Sequence, residues 1–287
     1  MLLLMKAACF LLGHLPLRLS TLIGKALGRL AWLADRRHRS IAIENIERAY
    51  GAEMTKREAR ETARKVFENI AITSMEFMRV PWLKARDLEG YVECEGLENL
   101  EKALEKKRGV IGITAHLGNW ELLAAYFGLS GFSMDIVIRE MDNPLVERFV
   151  SWVRTRSGNN MVYKRRAMRQ LIRTLSENGV VGILLDQNVT RSEGVFVDFF
   201  GTPACTNKGP ALLAASSGAP VLPSFIYRTG KTHRAVIGEE IKLSDTGDRN
   251  RDAQTNTARF TKAIEEAVRK HPEQWFWVHR RWKTRPR

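Results

Sequence analysis

The chain has 287 residues, of which 44% are hydrophobic and 27% are charged, so it can bury a sizeable core either as one domain with a terminal appendage or as two domains. A formal net charge of +14 indicates an anionic partner: nucleic acid, an anionic membrane or an acidic protein. The three cysteines match no metal or redox motif and indicate a reducing compartment, and the six histidines are too scattered for a metal-dependent hydrolase.

The N-terminal segment is predicted to associate with a membrane. Residues 1–17 are mostly apolar, but the longest uncharged stretch, 7–17, is well short of the roughly 20 residues that a spanning helix needs. Residues 17–36 are amphipathic, with leucines opposite a basic stripe formed by Arg18, Lys25, Arg29 and Arg36. Such a helix behind an apolar start is typical of a membrane-surface anchor. A cleaved signal peptide and a surface helix packed on the core are the alternatives.

The next segment carries clear helix boundaries. The basic cluster at 36–39 is predicted to end the first helical region, and it lies on the cytoplasmic side of an anchor by the positive-inside rule. A capping box at 55–58 predicts a helix that runs to about residue 78, and Pro81 ends it.

From residue 91 onward, predicted strands and helices alternate. Strands are expected at 91–95, 109–114, 134–138, 161–163, 180–185, 195–199, 221–227 and 233–238. Helices are expected at 97–107, 119–128, 144–157, 167–177, 208–217 and 252–270. This alternation predicts an α/β fold with a mixed, largely parallel sheet covered by helices on both faces.

One histidine lies at a predicted turn between a strand and a helix. His116 follows the strand at 109–114, at the sheet edge where α/β folds place ligands. Gly118 permits a tight turn and Asn119 is a good N-cap, which would place Glu121 in the first helical turn. A base with a carboxylate nearby is the minimum equipment for activating a hydroxyl. A histidine that only caps the helix or fills the core is the alternative.

The pattern of a histidine, four residues and an acid is the motif of glycerolipid-type acyltransferases. Here it occurs together with Asp186-Gln187, with the segment 218–223 and with the segment 272–283. This set resembles the bacterial lipid A biosynthesis (lauroyl/myristoyl) acyltransferases, and the likeness covers about residues 36–286. The resemblance implies a glycerolipid acyltransferase-like fold, with residues 37–287 as the acyltransferase domain behind an anchor at 1–36.

The resemblance also implies roles at the predicted turn. His116 would be the general base that takes a proton from an acceptor hydroxyl, which then attacks a thioester carbonyl. Glu121 would orient and polarise the imidazole. Arg139, at the end of a predicted strand, would bind a phosphate of the acceptor or of a carrier's phosphopantetheine; a surface salt bridge with Glu140 or another neighbour is the alternative.

Further substrate-binding residues are expected after the later strands. Asp186 and Gln187 would bind the acceptor headgroup near the base, whereas the role of Arg191 is left open because the chain lacks the motif of simpler glycerol-phosphate acyltransferases. Lys208 begins a predicted helix, and a helix N-terminus together with a lysine side chain favours the binding of an anion. The alternative is a capped helix whose lysine is merely exposed. No metal ion and no bound organic cofactor is expected.

The leading functional hypothesis is a membrane-associated acyltransferase at the cytoplasmic face of the bacterial inner membrane. It would move a fatty acyl chain from an acyl thioester to a hydroxyl of a lipid A precursor. The expected donor is acyl carrier protein, and acyl-coenzyme A is the alternative. The alternative acceptors are another bacterial glycolipid or a lysophospholipid. The tail at 279–283 interleaves cations with tryptophans, which could grip nucleic acid, but the chain has no nucleic-acid-reading motif and we expect no such partner. In the resembled family this tail lies near the active-site face and contributes to the lipid or carrier surface.

Overall fold

The helices and strands were located in a computed structural model, which describes residues 1–164 and 167–286. The helices of this part of the chain are α1 (Leu2–Gly13), α2 (Leu17–Ala34), α3 (Arg36–Tyr50), α4 (Lys56–Phe77), α5 (Ala85–Leu88), α6 (Leu97–Glu105), α7 (Trp120–Leu129), α8 (Pro144–Thr155), α9 (Ala167–Ser176), α10 (Gly209–Ser217) and α11 (Arg249–Lys270). The strands are β1 (Val92–Glu95), β2 (Val110–Thr114), β3 (Met134–Ile138), β4 (Asn160–Tyr163), β5 (Val180–Leu184), β6 (Gly194–Phe199), β7 (Thr202–Asn207), β8 (Val221–Thr229) and β9 (Thr232–Ile237).

Seven of these strands form one twisted sheet in the order β1-β9-β8-β2-β5-β3-β4. The five strands from β8 to β4 run parallel, whereas β9 is antiparallel to β8 and β1 is parallel to β9. The predicted mixed, largely parallel sheet is therefore confirmed. Parallel strands need covered faces, which explains why their sequences are almost continuously apolar.

Helices cover both faces of the sheet. On one face, Val110, Val180 and Leu222 pack with apolar residues of α6 and α7. On the other face, Ile111 and Ile113 pack with α9, α10 and α11. Successive residues of each strand therefore enter different halves of the core, as the pleat of a strand requires.

The sequence did not indicate β7. This strand pairs with β6 in a separate antiparallel hairpin, in which Pro203 lies opposite Asp198. In a two-stranded hairpin each strand has a free edge, where a proline is tolerated because its missing N–H is not needed by a neighbour. The segment therefore forms a strand without the apolar alternation that sequence analysis relies on.

The predicted end of the first helical region was wrong in its detail. The basic cluster at 36–39 begins α3 instead, because Asp35 interrupts α2 and its carboxylate caps the new helix by accepting a hydrogen bond from the His38 backbone N–H at 3.0 Å. Among the described helices none is both long enough and apolar enough to cross a membrane alone, although α1 and α2, bent by 118°, pass by length and composition as a pair.

The helix α2 is packed along α4. A Cβ atom at Gly28 would lie 2.5 Å from Cα of Glu68, and one at Gly24 would lie 2.8 Å from Cα of Ile72. Both glycines are therefore required for the close approach of the two backbones. The opposite side of the N-terminal helices carries exposed apolar side chains: Leu3, Leu4, Phe10, Leu11, Leu19, Leu22, Leu30 and Leu33.

Candidate active site

His116 and Asp186 meet because β2 and β5 are neighbours. Thr114 is paired with Leu184 in the parallel register, so the residues two positions beyond each strand lie side by side at the carboxyl edge of the sheet. Nδ1 of His116 lies 2.8 Å from Oδ1 of Asp186. Although the two residues are 70 positions apart in sequence, the sheet register brings them into direct contact.

The carboxylate of Asp186 is buried and is held by two further donors. The backbone N–H of His116 donates to Oδ2 at 2.9 Å, and the indole N–H of Trp275 donates to the same oxygen at 2.8 Å. Burial would raise the pKa of this carboxyl, but attraction to His116 and these hydrogen bonds lower the pKa to about 2. Asp186 is therefore an anion that fixes the orientation of the imidazole.

The other imidazole nitrogen remains available. Within residues 1–164 and 167–286, no protein group hydrogen-bonds Nε2 of His116. The side chain is 21% exposed, and the rings of Trp120 and Phe276 flank it at centroid distances of 5.1 and 5.8 Å. Nδ1 is held by a carboxylate and Nε2 faces accessible space, which is the geometry of a general base.

The turn that carries His116 is fixed by its backbone. Gly118 has φ +61°, and a Cβ atom there would lie 1.9 Å from the carbonyl oxygen of Ile226. The N–H of Gly118 donates to the carbonyl of Gln274, and the N–H of Phe276 donates to the carbonyl of His116, both at 3.0 Å. The C-terminal segment therefore lies against the turn as a short antiparallel pair.

The C-terminal segment lies near the catalytic turn, as expected, but most of its large side chains are buried. Trp275, Trp277, Arg281 and Trp282 are buried, and only Arg280 and Lys283 of the cationic cluster are exposed. The guanidinium of Arg281 donates to the carbonyl of Cys205 at 3.1 Å, and burial lowers its pKa to about 10. The tryptophans and Arg281 thus pack the tail onto the core, and the tail in turn contacts the turn that carries His116.

Glu121 makes a different contact from the one expected. Its carboxylate accepts two hydrogen bonds from Arg154 of α8, Nη2 to Oε1 at 2.6 Å and Nε to Oε2 at 2.9 Å. The Trp120 indole N–H also donates to Oε1, at 3.1 Å. No hydrogen bond joins Glu121 to His116 among the described residues, so the contact with the imidazole belongs to Asp186. Burial alone would lower the pKa of Arg154, but Glu121 raises it.

The remaining predicted site residues lie in varied surroundings. Arg139 is 84% exposed and lies 3.5 Å from Asp142, as the salt-bridge alternative anticipated. Gln187 is half-buried directly after Asp186. Arg191 is exposed, donates to the carbonyl of Arg285 and stacks on Phe196. Lys208 is half-buried at the N-terminus of α10, as its position in the sequence predicted.

Three residues of the site escaped sequence analysis: Arg154, Trp275 and His279. Nε2 of His279 accepts a hydrogen bond from the backbone N–H of Asn188 at 2.9 Å, and burial lowers its pKa to about 4, so that the neutral imidazole holds the loop after Asp186. Trp275 and His279 lie in the distinctive C-terminal segment, which could have signalled their importance. Arg154 carried no local signal.

An apolar cavity lies between α7 and the sheet. It contains about 560 Å³ of space, part of it open to solvent. Trp120 and Thr114 belong to its wall, and Thr114 precedes the base by only two residues. A second cavity of about 420 Å³ shares part of this wall and is also lined by Glu121 and Arg154.

The fold and the site are those of an α/β enzyme with a histidine–carboxylate pair at the carboxyl edge of a parallel sheet. Residues 1–284 match the family model described as bacterial lipid A biosynthesis acyltransferase. The chain belongs to this family and is an acyltransferase, as the resemblance at His116–Glu121 and at the C-terminal segment implied.

Several relatives are similar to this protein over most of the chain. The lipid A biosynthesis lauroyltransferase of Escherichia coli (strain K12) is 31% identical over 281 residues, which are 96% of this chain and 89% of the relative. The palmitoleoyltransferase of the same organism is 29% identical over 283 residues, 95% and 88% of the two chains. A phosphatidylinositol mannoside acyltransferase of Mycobacterium tuberculosis (strain ATCC 25618 / H37Rv) is 28% identical over 214 residues, 72% and 66% of the two chains.

The lowered pKa of Asp186 predicts a specific acid sensitivity. Because the folded pKa of about 2 lies below the unfolded value near 3.9, this carboxylate stabilises the fold above about pH 4, and that contribution is lost as the pH falls toward 2. Asp186→Asn should therefore lose less stability than the wild type between about pH 4 and pH 2. Urea unfolding at a series of pH values measures this. Asp142→Asn, at an exposed position, should keep the wild-type dependence, and equal slopes for Asp186→Asn would contradict the assignment.

Proposed function

We propose that His116 is the general base of an acyl transfer from a thioester to a lipid hydroxyl. The observation that carries this proposal is the imidazole whose Nδ1 is bound to buried Asp186 while Nε2 remains accessible. A hydroxyl is a weak nucleophile at neutral pH unless a base takes its proton, and a histidine held in this way has both the geometry and the partner for that role.

The two imidazole nitrogens of His116 have separate roles in the proposed reaction. Nε2 of His116 takes the hydroxyl proton while the hydroxyl oxygen attacks the thioester carbonyl carbon. The C–O bond forms, the C–S bond breaks, and the departing sulfur leaves with the proton. Asp186 stabilises the transient imidazolium and does not need to move, because its carboxylate already lies 2.8 Å from Nδ1.

The proposed acceptor is a hydroxyl of a lipid A precursor. Two relatives that are similar over nearly the whole chain carry lipid A biosynthesis in their names. A different glycolipid is the second candidate, because a phosphatidylinositol mannoside acyltransferase is also similar. Gln187 follows Asp186 directly, and Lys208 is the N-cap residue of α10; we assign both to the phosphorylated headgroup, together with Arg139 and Arg191.

The proposed donor is an acyl thioester of acyl carrier protein. Such carriers are acidic, and the net charge of +14 would steer them toward this protein, although an acyl-coenzyme A thioester would supply the same reactive group. Both leave a thiol, so the chemistry at His116 does not distinguish them.

The proposed location is the cytoplasmic face of the bacterial inner membrane. The exposed leucines of α1 and α2 form an apolar surface, and the exposed guanidinium of Arg29 and the basic cluster at 36–39 lie along the same segment. Apolar and basic groups together provide the two attachment signals that stable binding to an anionic bilayer needs.

The base assignment predicts a large loss of activity from two changes. His116→Ala should lower kcat by about 10²–10⁴-fold, because no other group replaces the base. Asp186→Asn should lower kcat on the same order, because an amide cannot stabilise the imidazolium. Purified variants assayed with a labelled acyl donor measure both. Asp135→Asn, a buried aspartate bound to Asn160 and Thr174, is the matched control and should stay active. A His116→Ala enzyme with near-normal kcat would refute the mechanism.

The ion pair of Glu121 and Arg154 predicts equal effects from its two members. We propose that Glu121 acts as a positioning residue through Trp120 and Arg154. Glu121→Gln and Arg154→Met should then reduce kcat/KM by similar factors. The double variant should be little worse than either single variant, because both changes remove the same ion pair. Steady-state kinetics with a parallel measurement of unfolding test this. If Glu121→Gln alone abolished activity while Arg154→Met did not, the acid would act on the imidazole directly.

The exposed leucines predict the membrane contact. The triple variant Leu22→Gln, Leu30→Gln, Leu33→Gln should move the protein from vesicle-bound to free, because three apolar side chains no longer favour the lipid interface. Co-sedimentation with anionic vesicles measures the bound fraction. Met168→Gln together with Ile172→Gln, which alters exposed apolar residues of α9, is the control. Unchanged binding of the triple variant would show that other surfaces carry the affinity.

A further inference from the structure

A buried ion pair joins α4 to β8 and has no part in the proton transfer at His116. Nε of Arg228 donates to Oε1 of Glu76 at 3.2 Å, and Nη2 donates to Oε2 at 2.6 Å. The side chains of Glu76 and Arg228 are only 7% and 10% exposed, and Nε2 of buried His233 lies 3.3 Å from the same carboxylate. Apolar residues of similar size often stabilise a fold as well as a buried ion pair does, so stability alone does not account for these charges.

The carboxylate of Glu76 fixes the residue that begins α7. The side chain of Asn119 is fully buried, and its Oδ1 caps the helix by accepting from the backbone N–H of Leu122 at 3.0 Å. Its Nδ2 donates to Oε2 of Glu76 at 2.7 Å. Because both ends of this amide are bound, the position of the cap depends on the carboxylate as well as on the helix.

The guanidinium of Arg228 acts on the preceding residue through two side chains of α4. It donates to Oδ1 of Asn69 and, at 3.1 Å, to Oγ1 of Thr73. Thr73 and Nδ2 of Asn69 in turn donate to the carbonyl of Gly118, at 3.1 and 3.5 Å. Since the oxygen of the Asn69 amide is held by a cation, its nitrogen is directed to the turn.

The backbone of Arg228 holds the C-terminal segment that lies against the same turn. Its N–H donates to Oε1 of Gln274 at 2.8 Å, and its carbonyl accepts from Nε2 of Gln274 at 3.1 Å. The carbonyl of Gln274 accepts from the N–H of Gly118 at 3.0 Å and from Nδ2 of Asn69 at 3.2 Å. Both polar groups of the Gly118 backbone are therefore held by partners that Arg228 binds.

We propose that Glu76 and Arg228 are positioning residues of the acyl transfer, which hold residues 118 and 119 so that the imidazole of His116 stays against Asp186. The proposal rests on the general-base function proposed above for His116. The described residues that line the two cavities include neither Glu76 nor Arg228, so we assign them no contact with the reactants. They act through the turn, and a displacement of about 1 Å in a reacting group can cost on the order of 10²-fold in rate.

The experiment compares Glu76→Met, Arg228→Met and the double variant by steady-state kinetics and by urea unfolding. Each single change leaves a buried charge without this partner and should lower both the free energy of unfolding and kcat. The double variant buries neither charge and should regain most of the lost stability. Its kcat should nevertheless stay about 10–100-fold below that of the wild type, because the turn has lost its supports. KM should stay close to the wild-type value, since the contacts with the reactants are intact.

A second buried ion pair provides the matched control. Glu265 of α11 is buried and lies 3.2 Å from Nε of Arg269. The double variant Glu265→Met, Arg269→Met undergoes the same chemical change in another part of the core and should keep the wild-type kcat.

A variant of the turn itself tests the link without removing a charge. Asn119→Ser keeps an oxygen that can cap α7 but loses the donor to Glu76. This variant should lower kcat in the same way as the Glu76 and Arg228 double variant, with KM close to the wild-type value.

Three results would overturn the positioning role. They are a kcat that recovers together with stability in the Glu76 and Arg228 double variant, an equal loss of kcat in the Glu265 and Arg269 pair, and a near-normal kcat of Asn119→Ser. Asn119→Ser decides alone if the Glu76 and Arg228 variants do not fold. A His116→Ala enzyme with near-normal kcat would instead refute the proposed function, so the two proposals fail by different results.

Discussion

The hydrogen bonds to the Asp186 carboxylate hold together the parts of the chain on which catalysis depends. The acid follows β5, one pair of donors comes from His116 after β2, and the third donor is the indole of Trp275 near the C-terminus. A carboxylate in a buried position is costly unless such donors compensate it, and removing one partner of a buried pair typically costs about 3–5 kcal/mol. Formation of the site is therefore coupled to docking of the C-terminal segment.

The two acids near the base have separate tasks. Asp186 lies beside the imidazole because the register of two parallel strands places it there, whereas Glu121 lies in the first turn of α7 and its carboxylate binds Arg154 of α8. The spacing of five positions places Glu121 on another side of the turn from the His116 ring, with Trp120 between them. The ion pair fixes the start of α7 against α8, and the ring of Trp120 flanks the base. A motif can thus contain a base and an acid that never touch.

Local patterns predicted most of the elements and the base, but not the contacts between distant residues. Strand and helix periodicity anticipated β2, β5 and α7, and the chemistry of Gly118 and Asn119 anticipated the turn of His116. The partner of His116 depends on strand order and register, which local sequence does not encode. Arg154 lies 33 residues after Glu121, and Trp275 lies 89 residues after Asp186, so neither pair had a local signature. The start of α3 was not predicted, because basic residues are typical of the end of a helix, although Asp35 before them is a good N-cap.

The helix α4 connects the N-terminal helices to the catalytic turn. One side of α4 receives Gly24 and Gly28 of α2. Another side presents Thr73, which donates to the carbonyl of Gly118 at 3.1 Å, and Glu76, which accepts from the Asn119 amide at 2.7 Å.

Attraction to Arg228 overcomes the effect of burial on Glu76 and lowers its pKa to about 2, so this side of α4 is a charged network that cannot enter hydrocarbon. Because α2 packs along α4, α2 lies against the body of the protein rather than projecting from it. The exposed leucines of α2 are therefore fixed relative to the turn of His116, and any surface that they contact is held at a set distance from the base.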